Sequence, residues 1–164
     1  MPTPNDHLQP RPIPITVGEP APDFTLKDQS RADWHLADAV KKGDVVLCFY
    51  PLSFTGVCGI EMKCVNDEMS KWQGKGANVV GISCDSFAVQ KAWADKEGFK
   101  QPLLADMHRQ VCKAYGLFWA DLNVSSRGTV VIGQDASGQG RVKWMQAREP
   151  SKAMNFDEVL ALMG

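Results

Sequence analysis

Asp44-Val45-Val46-Leu47-Cys48-Phe49-Tyr50 is a nearly continuous apolar run, stopped at Pro51. A strand without polar alternation must be covered on both faces, so this run predicts the centre of a sheet with layers on either side. Asn78-Val79-Val80-Gly81-Ile82-Ser83 repeats the pattern. Between the two runs, Cys58, Met62, Val65, Met69 and Trp72 recur at steps of four and three, one apolar stripe on a helix over 58–72. Strand and helix therefore alternate, and Val89, Ala92, Trp93 and Lys96 mark the face of a further helix after the second run.

The flanks complete an α/β reading. Phe24-Thr25-Leu26 and Trp34-His35-Leu36 alternate as short strands around the turn-rich Lys27 to Asp33, predicting an N-terminal β-hairpin. Leu103-Leu104 reads as a short strand before a helix around His108 to Tyr115. Thr129-Val130-Val131-Ile132 and Arg141-Val142-Lys143-Trp144 flank a Gly-rich connection and predict a second hairpin, and Phe156, Val159, Leu160 and Met163 a closing amphipathic helix. The expected architecture is a central mixed sheet with helices on both faces. Residues 1–14 hold five of the ten prolines and are expected to form a flexible, extended arm outside the fold, leaving residues 15–164 as a single domain.

Several function classes drop out. A net charge of −1 with acids and bases interspersed gives no footprint for nucleic acid or an anionic membrane. No apolar run approaches the roughly 18 residues of a membrane span, and the N-terminus has no hydrophobic signal segment, so a cytoplasmic protein is expected. The five cysteines, Cys48, Cys58, Cys64, Cys84 and Cys112, contain no C-x-x-C pair and suit neither a secreted disulfide scaffold nor a zinc ribbon. They read as thiols, and no metal or cofactor is expected. None of His7, His35 and His108 lies near a cysteine in sequence, so a Cys-His hydrolase has no support.

Among the thiols, Cys58 stands apart. It follows Pro51-Leu52-Ser53-Phe54-Thr55-Gly56-Val57 and opens the helical stripe, which places it in the first turn of a helix. Unpaired N–H groups and the positive end of the macrodipole favour a thiolate over a thiol there. In open sheets chemistry collects at the carboxyl ends of strands, where this segment and Ser83 to Ser86 both fall. Cys48, inside a buried strand, and Cys112, on a helix with Val111 and Tyr115, read as small buried hydrophobes. Cys64 lies about 600° around the helix from Cys58 and off the apolar stripe, hence accessible. Cys84 ends a strand at the same sheet edge. Trp93 reads as core.

Pro51, Thr55 and Cys58 form the P-x-x-x-T-x-x-C pattern, and through it the chain resembles the peroxiredoxins, AhpC/TSA-type thiol peroxidases. The likeness runs from about Val17 to Trp144. Gly18-Glu19-Pro20-Ala21-Pro22-Asp23-Phe24 resembles the family's opening, Ile82-Ser83-Cys84-Asp85-Ser86 its second strand end, and Ser126-Arg127-Gly128-Thr129-Val130-Val131-Ile132 the segment with its active-site arginine. Pro51 to Gly59 and Tyr115-Gly116-Leu117-Phe118 resemble the one-cysteine AhpE-like members first and the bacterioferritin comigratory type second.

The resemblance implies a thioredoxin-like fold and reduction of hydrogen peroxide, alkyl hydroperoxides or peroxynitrite at Cys58. It further implies a homodimer and, as reductant, a thioredoxin-like or glutaredoxin-like protein or a low-molecular-weight thiol. Arg127 would stabilise the thiolate and the leaving oxygen, and Thr55 would bridge thiolate and peroxide. Pro51 would shield the site, the N–H groups of Val57 and Cys58 would hold the substrate oxygen, and Glu61 would orient the arginine or lie on a solvated helix face.

The chain departs from the family in the regeneration step. It lacks the C-terminal Val-Cys-Pro of typical two-cysteine members, and Lys63 stands where the comigratory type carries a resolving cysteine, with Cys64 one place later. Asn66 occupies a position where arginine is common. Cys64 is the first candidate to pair with Cys58, Cys84 the second, and an external thiol the alternative. The Cys58 to Cys64 rise of about 9 Å in an intact helix exceeds the roughly 7 Å Cα separation a disulfide allows, so pairing requires unwinding. A thioredoxin-fold binding or chaperone module with a purely structural Cys58 is the competing function class.

Overall fold

The computed structural model describes residues 2–163; Met1 and Gly164, the outer ends of the expected arm and domain, lie outside them. In chain order the elements are β1 (Thr25–Lys27), β2 (Asp33–His35), α1 (Leu36–Val40), β3 (Val45–Phe49), α2 (Gly56–Asp67), α3 (Met69–Gly74), β4 (Asn78–Ser83), α4 (Phe87–Glu97), β5 (Leu103–Ala105), α5 (Gln110–Ala114), β6 (Phe118–Trp119), β7 (Val124–Ser125), β8 (Arg127–Gln134), β9 (Gly140–Arg148) and α6 (Phe156–Ala161). Seven strands make one mixed sheet in the order β2-β1-β5-β4-β3-β8-β9. β3, β4 and β5 run parallel, and β8 is antiparallel to β3.

The apolar run of β3 is buried at every position because alternate residues face different layers. Val45, Leu47 and Phe49 join the layer containing Leu36, Val111, Cys112 and Tyr115. Val46, Cys48 and Tyr50 join the layer containing Cys58, Met62, Val65, Trp93 and Val159. Gly81 of β4 makes the second layer thin enough for α2: a Cβ there would stand 2.8 Å from Met62 Sδ and 3.1 Å from the Tyr50 ring.

The N-terminal hairpin, the β8–β9 hairpin and the closing helix lie where the sequence put them. The stripe over 58–72 is divided, since Glu68 (φ −97°, ψ 11°) leaves the helical region and separates α2 from α3. Leu36 begins α1 rather than ending a strand.

The proline-rich segment, expected outside the fold, is laid along it. Asn5 is 4% exposed and exchanges two hydrogen bonds with the Thr25 backbone, Nδ2 to O and N to Oδ1, each 2.9 Å. Arg11 N donates to Lys113 O and Ile15 N to Tyr115 O, both at 3.0 Å. Its crossing depends on Gly116 (φ +70°), where a Cβ would fall 2.0 Å from the Ile13 carbonyl oxygen. The exclusion failed because proline composition registers a lack of regular structure, whereas docking here uses side-chain and edge backbone hydrogen bonds.

Candidate active site

Cys58 sits at the third position of α2, 2% exposed, beyond the carboxyl end of β3. Thr55 is the N-cap residue, in extended conformation, yet its side chain does not cap the helix. Its hydroxyl turns back and donates to Leu52 O at 2.6 Å. The first N–H groups of a helix have no intrahelical acceptor. With the cap withheld, those of Val57 and Cys58, in the first turn of α2, receive no side-chain cap, which suits the helix start to an anionic oxygen.

The loop delivering the cysteine is held at both ends. Tyr50 N donates to Ile82 O at 2.9 Å, Pro51 is buried, and Ser53 N donates to Asp85 Oδ2 at 2.8 Å. Asp85 in turn accepts from the Ser83 hydroxyl at 2.8 Å, tying the loop to the end of β4. Phe54 takes φ +63°, a left-handed conformation uncommon for a bulky side chain, and is 50% exposed with its ring 6.1 Å from that of Trp93. Backbone strain at that residue is what the anchors on either side hold in place.

Arg127 opens β8, and because β8 pairs with β3 at Phe49↔Gly128 it lies over the same sheet end. It is 1% exposed, and its Nη2 donates to Cys58 Sγ at 2.9 Å. Nε donates to Pro150 O at 3.0 Å and fixes the plane of the fork. Nη1 forms an ion pair with Glu61 Oε1 at 3.4 Å without hydrogen-bond geometry.

Glu61 is fully buried one turn beyond Cys58 and joins α2 to the hairpin. Its Oε2 accepts from Met154 N at 2.8 Å and pairs with Arg148 Nη2 at 3.4 Å. Burial pushes its carboxyl above the ordinary range, against the pull of Arg148, Arg127 and the Met154 N–H. The solvated-surface reading of Glu61 is thereby replaced by one of a buried clamp.

Arg148, at the end of β9, is the residue the sequence reading missed. It stands directly opposite Arg127 in the ladder, and its Nη2 donates to Thr129 Oγ1 at 2.7 Å. Two like charges in register repel; Glu61 between them offsets that repulsion. Its signal in the sequence is the hairpin register alone, and β9 runs four residues beyond Trp144, where the apolar pattern of the second strand ends.

The other candidates separate. Cys48 is fully buried and its thiol is pushed up by that burial. Cys64 lies on the unbroken α2, half-buried, its thiol raised by burial and then by Asp67, Glu68 and Glu61. Cys84 belongs to the layer on the opposite face of the sheet from Cys58, with its Sγ 3.8 Å from Cys112 Sγ. The shared sheet edge placed Cys84 correctly along the strand but not across the sheet. Trp93 is core, 1% exposed, packed between Tyr50, Phe54 and Phe99.

Known proteins resemble this chain in sequence and fold. The model of the AhpC/TSA family matches residues 17–142. Alkyl hydroperoxide reductase E of Mycobacterium bovis is 32% identical over 140 residues, covering 84% of this chain and 89% of the relative. Peroxiredoxin-2 of Macaca fascicularis is 32% identical over 157 residues, 90% of this chain and 77% of the relative. Among solved structures, the peroxidoxin BcpB of Mycobacterium tuberculosis superposes with TM-score 0.80 at 27% identity, covering 91% of this chain and 96% of that one. The reduced 2-Cys peroxiredoxin of Plasmodium vivax gives TM-score 0.81 at 27% identity, 92% of this chain and 81% of that one. The fold is therefore the thioredoxin-like fold of these proteins, and a peroxide substrate and a thiol-based reductant come with it. The chain belongs to the AhpC/TSA family, the peroxiredoxins, and is a thiol-dependent peroxidase.

Proposed function

We propose that Cys58 is the nucleophile of this peroxidase, acting on hydrogen peroxide, alkyl hydroperoxides or peroxynitrite. The observation that carries the assignment is the 2.9 Å hydrogen bond from Arg127 Nη2 to Cys58 Sγ at the uncapped start of α2. The Cys58 thiolate attacks the terminal peroxide oxygen, the O–O bond breaks, and its electron pair leaves with the departing oxygen, which takes up a proton as water or alcohol, or departs as nitrite when the substrate is peroxynitrite. Cys58 is left as a sulfenic acid. Arg127 and the N–H groups of Val57 and Cys58 stabilise the oxygens that gain charge, so they act chiefly by binding the transition state better than the ground state, while the Thr55 hydroxyl, its proton donated to Leu52 O, is left to accept from the peroxide O–H. Pro51 shields the sulfur from water and offers no competing N–H. Glu61 and Arg148 position Arg127. A structural Cys58 in a binding or chaperone module would give no reason for a buried arginine to donate to its sulfur.

For regeneration the geometry favours an external thiol. An unbroken α2 holds Cys58 and Cys64 about 9 Å apart along its axis. A resolving Cys64 would have to unwind the helix start. The incoming thiol, from a thioredoxin-like or glutaredoxin-like protein or a small thiol, condenses with the sulfenic acid, releases water, and leaves a mixed disulfide that a second thiol reduces. Five free thiols suit a reducing, cytoplasmic setting. Exposed Phe54 and Ile60 flank a groove of about 350 Å³ beside Thr55, an apolar face suited to a homodimer. One equivalent of peroxide followed by intact mass and peptide mapping tests the regeneration route. A persistent sulfenic acid at Cys58 supports the external thiol, whereas a Cys58–Cys64 cross-link overturns it.

A further inference from the structure

On the opposite face of the sheet from Cys58, three buried groups from three separate elements meet without a part in the peroxidase mechanism. Cys84 is the first residue beyond β4, Asp106 the first beyond β5, and Cys112 lies within α5. The sulfurs are 3.8 Å apart, and an Asp106 carboxylate oxygen lies within 4.8 Å of both. Exposure is 8% for Cys84, 0% for Cys112 and 1% for Asp106. Asp106 is held by backbone N–H donors of α5, Val111 at 3.2 Å and Cys112 at 2.8 Å, which keeps its carboxylate within 4.8 Å of the Cys112 sulfur; at rest that thiol donates to Arg109 O at 3.5 Å and turns to Asp106 to give up its proton.

We propose that Cys84 and Cys112 are a second redox site, a buried dithiol that hydroperoxide converts to a disulfide with Asp106 as the local base. Closing the sulfurs from 3.8 Å to the roughly 2.05 Å of a disulfide is a movement on the scale of a side-chain rotation. Only Cys84 retains exposure, so its sulfur meets the peroxide. It attacks one oxygen, the O–O bond breaks, and the Cys84 proton ends on the departing oxygen, leaving a sulfenic acid. Asp106 takes the Cys112 proton, the Cys112 sulfur displaces hydroxide from Cys84, and Asp106 returns the proton to that hydroxide. Two thiols and one hydroperoxide thus give one disulfide, one alcohol or water from the peroxide, and one water from the sulfenic acid.

Burial makes Asp106 a stronger base than an ordinary carboxylate, and Cys84, burial and Asp106 together keep the Cys112 thiol protonated at rest. The pair is therefore slower than Cys58 and fills only when peroxide persists. Its product ties the end of β4 to α5 across 28 residues of chain. This reading does not depend on Cys58, because the two sites lie in different layers.

The full-length Cys58→Ser protein isolates the pair. After excess hydrogen peroxide, alkylation in denaturant and peptide mapping, we expect a Cys84–Cys112 cross-link that dithiothreitol reverses and Cys84→Ser abolishes. Asp106→Asn should slow its formation by about 100-fold. The cross-link is read in a chain whose second site is unaltered, so misfolding of the Asp106 variant leaves the principal result standing. Recovery of both thiols alkylated, their appearance as separate sulfinic acids, or zinc bound one to one with both thiols protected would each overturn the proposal.

Discussion

Arg127 does two things with one guanidinium: Nη2 meets the sulfur while Nε and Nη1 are held by Pro150 and Glu61. A lysine would keep the charge but not the planar fork. Arg127→Ala should lower kcat/KM for peroxide by about 10²–10³, as loss of a preorganised donor does. The comparison belongs at a pH where Cys58 is ionised in both proteins; equal rates there would mean that the arginine acts only through thiolate formation. Arg127→Lys should recover a minor part of the loss. At this scale the sequence was informative where a residue type has few alternative uses. A P-x-x-x-T-x-x-C run and, through the family resemblance, a Ser-Arg-Gly before a buried strand pointed to Cys58, Thr55 and Arg127, and Arg127 is found donating to the Cys58 sulfur. It said little about Cys84, because neighbouring residues at a strand end face opposite layers and a one-residue difference decides which.

At the scale of elements, the site is a junction of α2 with the β8–β9 hairpin, and Glu61 is the joint. Arg148→Ala should destabilise the fold by about 3–5 kcal/mol, since it leaves a buried Glu61 short of a partner, and denaturant unfolding reads this directly. A change below about 1 kcal/mol would show that the pair is dispensable. The hairpin was legible from its alternating strands and Gly-rich turn, but the length of β9 was not. Met145 to Arg148 are largely half-buried, so their pattern lacks the apolar contrast on which a strand is recognised. The break at Glu68 was likewise hidden, because the apolar stripe continues through it and only the backbone departs. A second joint links β2 to α1, where His35 Nε2 meets Asp23 Oδ2 at 2.6 Å and Nδ1 meets Asp38 Oδ2 at 3.2 Å. The Asp23 hydrogen bond, with Asp38 assisting, raises the His35 value above its ordinary 6.5. A raised histidine contributes stability that is complete below the unfolded value and lost as pH rises through the folded one. Thermal melts should therefore show wild type losing more stability than His35→Gln as the pH rises from below 6.5 through the raised His35 value; parallel losses would remove His35 as the cause.

For the whole molecule, two core layers on one sheet separate two thiol chemistries. The layer under α2 carries Cys58 and its arginines, and the layer under α5 carries Cys84 and Cys112. The continuous apolar run of β3 made the two-layer architecture legible, since a strand buried on both faces has no other arrangement. The docking of residues 2–14 was not legible, because it rests on Asn5 reaching the Thr25 backbone and on the space left at Gly116. The central claim is that one sulfur, Cys58, carries the rapid peroxide reduction of the chain, above any slow background from the Cys84–Cys112 pair. Steady-state consumption of hydrogen peroxide in the presence of excess thiol reductant tests it, comparing wild type with a Cys58→Ser variant whose circular dichroism matches. Rapid turnover in wild type and its fall in Cys58→Ser to at most a slow background is the expected result, while undiminished turnover in the variant would contradict the account.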